Sequence, residues 1–573
     1  MLPIKRLFQL IIIILTVSVA FLLFNISSNL IKSEDENRYA SIELHLEERD
    51  LPKDFVQERC LIVGVPQDDT ERSIYNNIVM TLSHMKIPYK LLNKITASEL
   101  TGDPTVVFVV SKISTCASLT LVGDYISEGG KVLFAAGIPE SYQDSYLNPV
   151  WGIIEKGIKV AENRFHIMPN FLPYDEVYVD YAGYNASTSI RITDKAQVFV
   201  ESVDGIPIIY SNRYDKGEAV VINGTILEDK DAGGLFVAAL CELQDQMIYP
   251  IIGSKVVFLD GFPPINDLND SNTFRLYGRS EESFLRDILW PDLLSYATRY
   301  ELKYTANILG IIPDNYDIEL INERMLTYLF KEIIKYSGEI GIAGDHSSIY
   351  NFDREQVKTL YRYLKNDFPN YEFSAYTVMY GKVENDDLEA LRDIFEGFDV
   401  VRGFYSGDPK TQTLQNFGEE ETFITFPTVS SGYTKENGTF FDFLSGVSEY
   451  GVISHSFKIS ELISATSRED GWDSLKEEYH DLNQSMFGKT PWLYSATLSE
   501  AASRTKAYNR LEMCAVDVEN GMQVYCNNFM EGQKFFIKSD REVRKVVNGS
   551  FNKINDVYYV ITAFEPDFTV LYM

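Results

Sequence analysis

The chain opens on a run without periodicity, because nearly every position is apolar. Leu7 to Ile26 reads LFQLIIIILTVSVAFLLFNI, uncharged, with only Gln9 and Asn25 strongly polar. About 20 residues at ~1.5 Å rise cross a ~30 Å hydrocarbon core, so the run predicts one transmembrane helix. Lys5 and Arg6 precede it, while Lys32, Glu34, Asp35 and Glu36 follow. The positive-inside rule then places the N-terminus in the cytoplasm and the rest of the chain outside the cell membrane. A cleavable signal peptide shares the charged start, but its apolar core is ~7–15 residues and ends in an A-x-A-like site, which is not evident here. The expected anchor is 1–30, followed over 31–57 by a charged stalk with no sustained apolar period.

From residue 58 the pattern changes to short buried runs alternating with helical periodicity. CLIVGV, VVFVVS and KVLFAAG read as strands of a parallel sheet with helices between them. VYVDY, QVFVES, PIIYSN and EAVVING then follow as strands separated by Gly, Asn and Asp turns, completing or decorating the same domain. The span 58–248 is similar to flavodoxin-like or glutamine-amidotransferase-like α/β domains, with EGGKVLFAAG as a glycine-marked turn into a strand. Cys116, in ISTCASL, lacks the glycines of a nucleophile elbow and reads as a structural residue. No G-x-x-x-x-G-K-[ST] phosphate loop occurs.

Over 249–507 the strand and helix patterns repeat. KVVFLDGFPP, KYTANIL, GEIGIAGDHSS, EFSAYTVMYG and DVVRGFYSG read as strands, with SFLRDILWPDLLSYATRY, TYLFKEIIKYS, EQVKTLYRYLKNDF and LEALRDIF as the helices between. Repeated βα units over about 240 residues predict a barrel whose strand C-termini face a common site. Asp260, His346 and Arg402 fall at such ends. After Ala507 the helices stop, and LEMCAVDV, MQVYCNN, QKFFIKS, VRKVVNG, VYYVITAF and FTVLYM predict a small C-terminal β-sandwich over 508–573. The fold class is therefore α/β, with a transmembrane helix before it and an all-β unit after it.

Composition narrows the partners more than the fold. Hydrophobic residues at 45% and aromatics at 13% exclude a disordered chain. A net charge of -31 opposes nucleic acid or anionic lipid as partners; an acidic surface that only maintains solubility is the plain alternative. Five cysteines are too few to be the main support of an exported chain this long. Cys514 and Cys526 flank the hairpin signal AVDVENGMQVY, and a three-residue loop Glu519-Asn520-Gly521 sets them opposite one another, as a cross-strand disulfide requires. Cys60, Cys116 and Cys241 leave one odd thiol.

The 250–505 segment resembles the polysaccharide deacetylase superfamily, the NodB-homology fold, including PelA-type deacetylase-like proteins. VVFLDGFPP stands where that family opens with T-F-D-D-G-P, and GEIGIAGDHSS where it carries E-I-G-x-H-x-x-x-H. YGVISHSFKISELIS and TPWLYSATLSEAA look like its late barrel strand and closing helix. The resemblance implies a distorted (β/α) barrel of deacetylase type and a divalent metal, zinc or similar, that activates water against an N-acetyl group. It implies Asp260 and His346 as metal ligands and His455 as the catalytic acid; Arg402, from its place at a barrel strand end, is the expected substrate-binding residue. The motifs depart from the family at two positions: Leu259 stands in the base position and Ala343 where the first histidine falls.

Only six histidines exist, His45, His84, His166, His346, His455 and His480, so a three-ligand site would recruit a carboxylate such as Asp267, Asp270 or Asp345. For Asp260 the alternative role is a turn cap before Pro263, and for His346 and His455 a hydrogen-bonded strand end. The expected function is a membrane-anchored, extracytoplasmic deacetylase-like protein acting on an N-acetylhexosamine exopolysaccharide or cell-wall glycan, alongside exopolysaccharide synthesis or export proteins. The alternative is a catalytically degenerate relative that binds polysaccharide or serves export assembly.

Overall fold

The computed structural model describes residues 46–49, 51–52, 60–139, 142–265, 270–309, 322–346, 354–381, 385–404, 417–419 and 423–573. The expected membrane anchor and most of the stalk lie outside these residues. Among the described residues no helix is long and apolar enough to cross a membrane.

Cys60–Val63 and Thr105–Phe108 are wholly buried runs, and Lys131–Phe134 is nearly so. Such runs need cover on both faces, and they pair in parallel. They belong to one nine-stranded sheet ordered Tyr89–Leu92, Cys60–Val63, Thr105–Phe108, Lys131–Phe134, Gly217–Ile222, Pro207–Tyr214, Gln197–Ser202, Ile153–Ile167, Val177–Ile192. The first five are mutually parallel and the last four antiparallel, so the strand-rich segment after residue 150 extends the first sheet. Helix Asp69–His84 starts at Asp68, whose side chain accepts from Glu71 N, and buries Ile74, Ile78 and Leu82 at helical spacing.

Gln246–Ile251 does not close this first domain. It pairs antiparallel with Lys534–Ser539 and forms the edge of a four-stranded sheet with Tyr558–Ala563 and Gly549–Lys553. A second four-stranded sheet, Glu512–Val518, Gly521–Asn527, Asp567–Tyr572 and Val543–Val547, packs on it over a core that includes Val524, Phe535, Ile537, Tyr559 and Phe568. The terminal sandwich is thus built from chain on both sides of the barrel.

Its Glu512–Gly521 hairpin corrects the cysteine expectation. Val518 pairs with Gly521, leaving the two-residue turn Glu519-Asn520, with Asn520 left-handed at φ 61°. The register moves by one residue, so Cys514 faces Tyr525 and Cys526 faces Met513. A one-residue step reverses the faces, so the two thiols do not lie opposite one another, and both are buried.

Between these parts, Ser254–Asp260, Tyr304–Leu309, Glu339–His346, Ala375–Gly381, Val400–Phe404 and Ile424–Thr428 pair in parallel one after another. Val452–Lys458 pairs with Ser254–Asp260 on one side and with Ser430–Ser431, just beyond Ile424–Thr428, on the other. The parallel sheet therefore curls until its two ends meet. Ile424–Thr428 carries Pro427, a residue that rarely occupies an interior strand; it lies opposite Gly403 in the parallel ladder. The continuous helical stretch from Glu281 to Tyr300 contains a π-helical turn, Leu285–Leu289, just before Pro291. A proline ring clashes with the preceding turn of an α-helix, and the wider turn accommodates it.

Helix Thr439–Tyr450 joins the barrel to the first sheet by packing on Gly233–Glu242. Gly234 donates its N–H to Ser445 Oγ at 2.9 Å, and a β-carbon there would meet the Ser445 backbone. Glu449 accepts from Thr81 Oγ1 at 2.8 Å across the same junction.

Candidate functional site

The barrel strands are apolar along their length and polar at their C-terminal ends. Val256 to Leu259 are fully buried, and Asp260 ends the strand at 1% exposure, followed by left-handed Gly261 and the cis Phe262–Pro263 bond. Asn307 lies beside Asp260 in the neighbouring strand. His346 ends the third strand, whereas Arg402 is the central residue of the fifth, Val400–Phe404, and His455 is the central residue of Val452–Lys458, with Ser456 next to it.

Two of the four sequence-selected residues meet. Arg402 Nη1 donates to Asp260 Oδ1 at 2.6 Å and Nη2 to Oδ2 at 2.8 Å, with both side chains at 0% exposure. Asn307 Nδ2 adds a bond to Oδ1 at 2.9 Å, and Ser456 Oγ donates to Oδ2. The guanidinium lies over the Phe258 ring at 3.7 Å, and its Nε donates to Thr428 Oγ1 at 2.6 Å. Thr377 Oγ1 donates to Asn307 Oδ1 at 3.1 Å, extending the network to a further strand. Burial alone would raise the Asp260 pKa; the Arg402 charge and hydrogen bonds, with those of Ser456 and Asn307, outweigh it and hold the carboxyl below its ordinary value. Asp260 is an ionised acceptor whose two oxygens are already engaged.

His455 and His346 bond to different groups. His455 Nε2 lies 2.9 Å from the Gly432 carbonyl, which only accepts, so this nitrogen carries the proton; Nδ1, 2.8 Å from Ser430 Oγ, is then the acceptor. Burial lowers its pKa to about 4, with only partial compensation from the Gly432 bond. His455 is thus a neutral, fully enclosed imidazole with both nitrogens engaged. His346 Nε2 bonds Tyr376 Oη at 3.0 Å, and Nδ1 lies 3.4 Å from Asp387 Oδ2 at the start of helix Asn385–Ile394.

Glu339, the first residue of the E-I-G motif, sits at the opposite end of its strand. It accepts from Ser499 N at 3.0 Å and Ser499 Oγ at 2.5 Å, tying the strand to helix Leu498–Arg510.

A divalent metal, which the motif resemblance implies, does not fit this donor set. The Asp260 oxygens accept from three side chains, one of them cationic, and a metal there would displace or oppose the Arg402 guanidinium. Leu259 and Ala343 offer no ligand atoms. Among the described residues no group of three or more His, Cys, Asp or Glu side chains is arranged to hold a metal ion.

Asn307, Thr377, Thr428 and Ser456 belong to this network and do not stand out in sequence. The available signal is a polar residue inside an otherwise buried strand, as in KYTANIL and VISHSFK.

A family model described as an uncharacterised protein conserved in bacteria, DUF2194, matches residues 152–560. No curated protein sequence matches. Among solved structures, the carbohydrate deacetylase Agd3 aligns at a TM-score of 0.48 and 8% identity, covering 89% of this chain and 98% of that one. A cold-adapted β-galactosidase from Rahnella sp. R3 aligns at 0.25 and 14% identity over 34% of each chain. A ThuA-like protein from Bacteroides uniformis aligns at 0.24 and 9% identity, over 32% of this chain and 90% of its own.

Proposed function

The chain belongs to the DUF2194 family of bacterial proteins, and from that premise we propose that it is a polysaccharide deacetylase-like protein that engages a carbohydrate polymer at the C-terminal mouth of its barrel. The motif order around Asp260 and Glu339 supports the polymer class. The bidentate Asp260–Arg402 pair carries the finer reading: engagement is binding or export assembly, because the carboxylate that would hold a catalytic metal holds a guanidinium. The apolar run at 7–26 supports a single-pass anchor that keeps the barrel outside the cell membrane, near exopolysaccharide synthesis or export proteins. An acidic chain of net charge -31 suits a polymer bearing free amines.

The full chain in detergent, incubated with N-acetylglucosamine and N-acetylgalactosamine oligomers and Zn²⁺, Co²⁺, Mn²⁺ or Ni²⁺, should release no acetate and should retain the oligomers on a column. Metal-dependent acetate release, abolished in Asp260→Ala and His346→Ala, would replace the binding reading with metal-assisted N-deacetylation. Neither release nor retention would remove the carbohydrate assignment.

A further inference from the structure

Carboxyl groups gather where the first domain meets the barrel. On helix Thr439–Tyr450, Asp442, Ser445 and Glu449 recur at spacings of three and four and so share one face. That face lies on the turn Lys230–Ala232 and the start of helix Gly233–Glu242. Besides the Gly234–Ser445 bond, a β-carbon on Gly233 would strike Glu449 Oε2. The turn adds two more carboxyls. Asp229 is provided for, accepting from Asp231 N and from Tyr181 Oη at 3.0 Å each. Asp231 is not: its Oδ1 is enclosed with no hydrogen-bond partner among the described residues.

Four carboxyls thus meet across one seam, and the cation acting on Asp231 is its neighbour Lys230. The other groups facing the seam add little positive charge. His84, from helix Asp69–His84, bonds Tyr450 Oη through Nδ1 at 2.9 Å, and burial, with Lys86 behind it, lowers it to about 4, so it is neutral. Burial raises the Tyr181, Tyr249 and Tyr508 hydroxyls, which stay neutral as well. Lys86 donates to Asn509 O at 2.9 Å, and Lys435, ahead of the helix, lies over the Phe440 ring. Like charges this close in an enclosed seam cannot all ionise. Burial, then Asp442 and Asp229, push Asp231 well above the ordinary carboxyl range; burial and Asp229 do the same to Asp442, and burial raises Glu449 to about 7.

We propose that this seam is a proton-held latch: while Asp231, Asp442 and Glu449 carry protons the helix Thr439–Tyr450 stays docked on the first domain, and as they release them to solvent it lifts away. Undocked, in water, these carboxyls titrate near ~4, so docking is favoured at low pH and lost as pH rises through the higher docked values. The helix runs through left-handed Gly451 into Val452–Lys458, whose Ser456 donates to Asp260. Undocking therefore pulls on the strand that completes the barrel ring.

Hydrogen–deuterium exchange of the full chain in detergent, corrected for the intrinsic rate at each pH, tests this peptide by peptide. Between about pH 5.5 and 8.5, a range over which docked His455 stays neutral, peptides from 230–242 and 439–450 should lose tenfold or more of their protection. The strand 254–260 should keep its own. Asp231→Asn, Asp442→Asn and Glu449→Gln together imitate the protonated side chains, and this triple variant should hold its low-pH protection to the upper end of the range. Level protection in the parent chain, an equal loss in 254–260, or an undiminished loss in the triple variant would each overturn the latch. The parent profile decides alone if the variant does not fold.

Discussion

Arg402 and Asp260 face each other with paired N···O distances of 2.6 and 2.8 Å, both side chains at 0% exposure inside the curled barrel sheet. Removing one member strands the other's charge away from water, and breaking such a pair costs ~3–5 kcal/mol. Arg402→Met should therefore lower the stability of the folded chain by about that amount in urea unfolding followed by tryptophan fluorescence. Asp260→Leu with Arg402→Met should recover most of the loss, because an apolar pair leaves no charge behind. If Arg402→Met alone were neutral, the pair would not be closing the barrel interior.

The same pair resists acid. The folded carboxyl titrates below its unfolded value of about 4, so its contribution is fully present above that pH and lost as pH falls through the lower folded pKa. His455 acts over a higher window. Its folded pKa is about 4 against an ordinary 6.5, so below pH 6.5 the unfolded chain takes up a proton that the folded chain refuses. Stability from this residue is complete above pH 6.5 and drains away toward pH 4, by roughly 3 kcal/mol in all. Urea midpoints between pH 7 and 5 should fall less steeply in His455→Asn than in the parent chain. Glu449, raised to about 7 by burial, titrates with the opposite sign: its term is present below about pH 4.5 and lost as pH rises through 7. It is common to both chains, so the difference between them isolates His455. Parallel pH profiles would mean that His455 is not kept neutral.

In the C-terminal hairpin, one residue of loop length decides whether two thiols can join. With Glu519-Asn520 as the turn, Cys514 and Cys526 are offset by one position and point to opposite faces. Maleimide labelling of the denatured, unreduced chain should modify both cysteines. A Cys514–Cys526 peptide in non-reduced digests would require the three-residue loop instead.

Much of this architecture is written in the chain at the level of pattern. Runs such as CLIV and VVFLD are buried at every position in the fold because parallel strands are covered on both faces. Helix Glu323–Lys335 buries Met325, Leu326, Leu329, Phe330 and Ile333, the spacing that marks it in sequence. What pattern does not carry is the partner of each polar group. Asp260 and Arg402 both stand out as polar residues at strand ends, but 142 positions separate them. Only the curl of the sheet brings the two strands close enough to pair, and with it the expected ligand and the expected substrate contact become one ion pair. The partner of Gln246–Ile251 is hidden for a similar reason: its apolar run is plain, but Lys534–Ser539 is almost three hundred residues away.

The third strand holds a close contact that gives a test independent of any substrate. Its register shifts between Gly344 and Asp345, and Gly344 lies against the Tyr376 hydroxyl, on the atom that bonds His346 Nε2. A β-carbon at Gly344 would occupy the space of that hydroxyl, so Gly344→Ala must move the Tyr376 ring, itself fully buried between strand and helix. Overpacking of this kind costs ~1–3 kcal/mol. Tyr376→Phe removes the hydroxyl and the His346 bond together, at about 1 kcal/mol for a buried hydrogen bond. In the Tyr376→Phe background the hydroxyl, the nearer of two close atoms, is gone while the ring Cζ stays, so Gly344→Ala should lose part of its penalty. Urea unfolding of the two single variants and the double variant measures the coupling, which should be non-additive by about 1 kcal/mol or more. Strict additivity would mean that the glycine and the phenol do not compete for one volume, and that His346 is positioned without Tyr376.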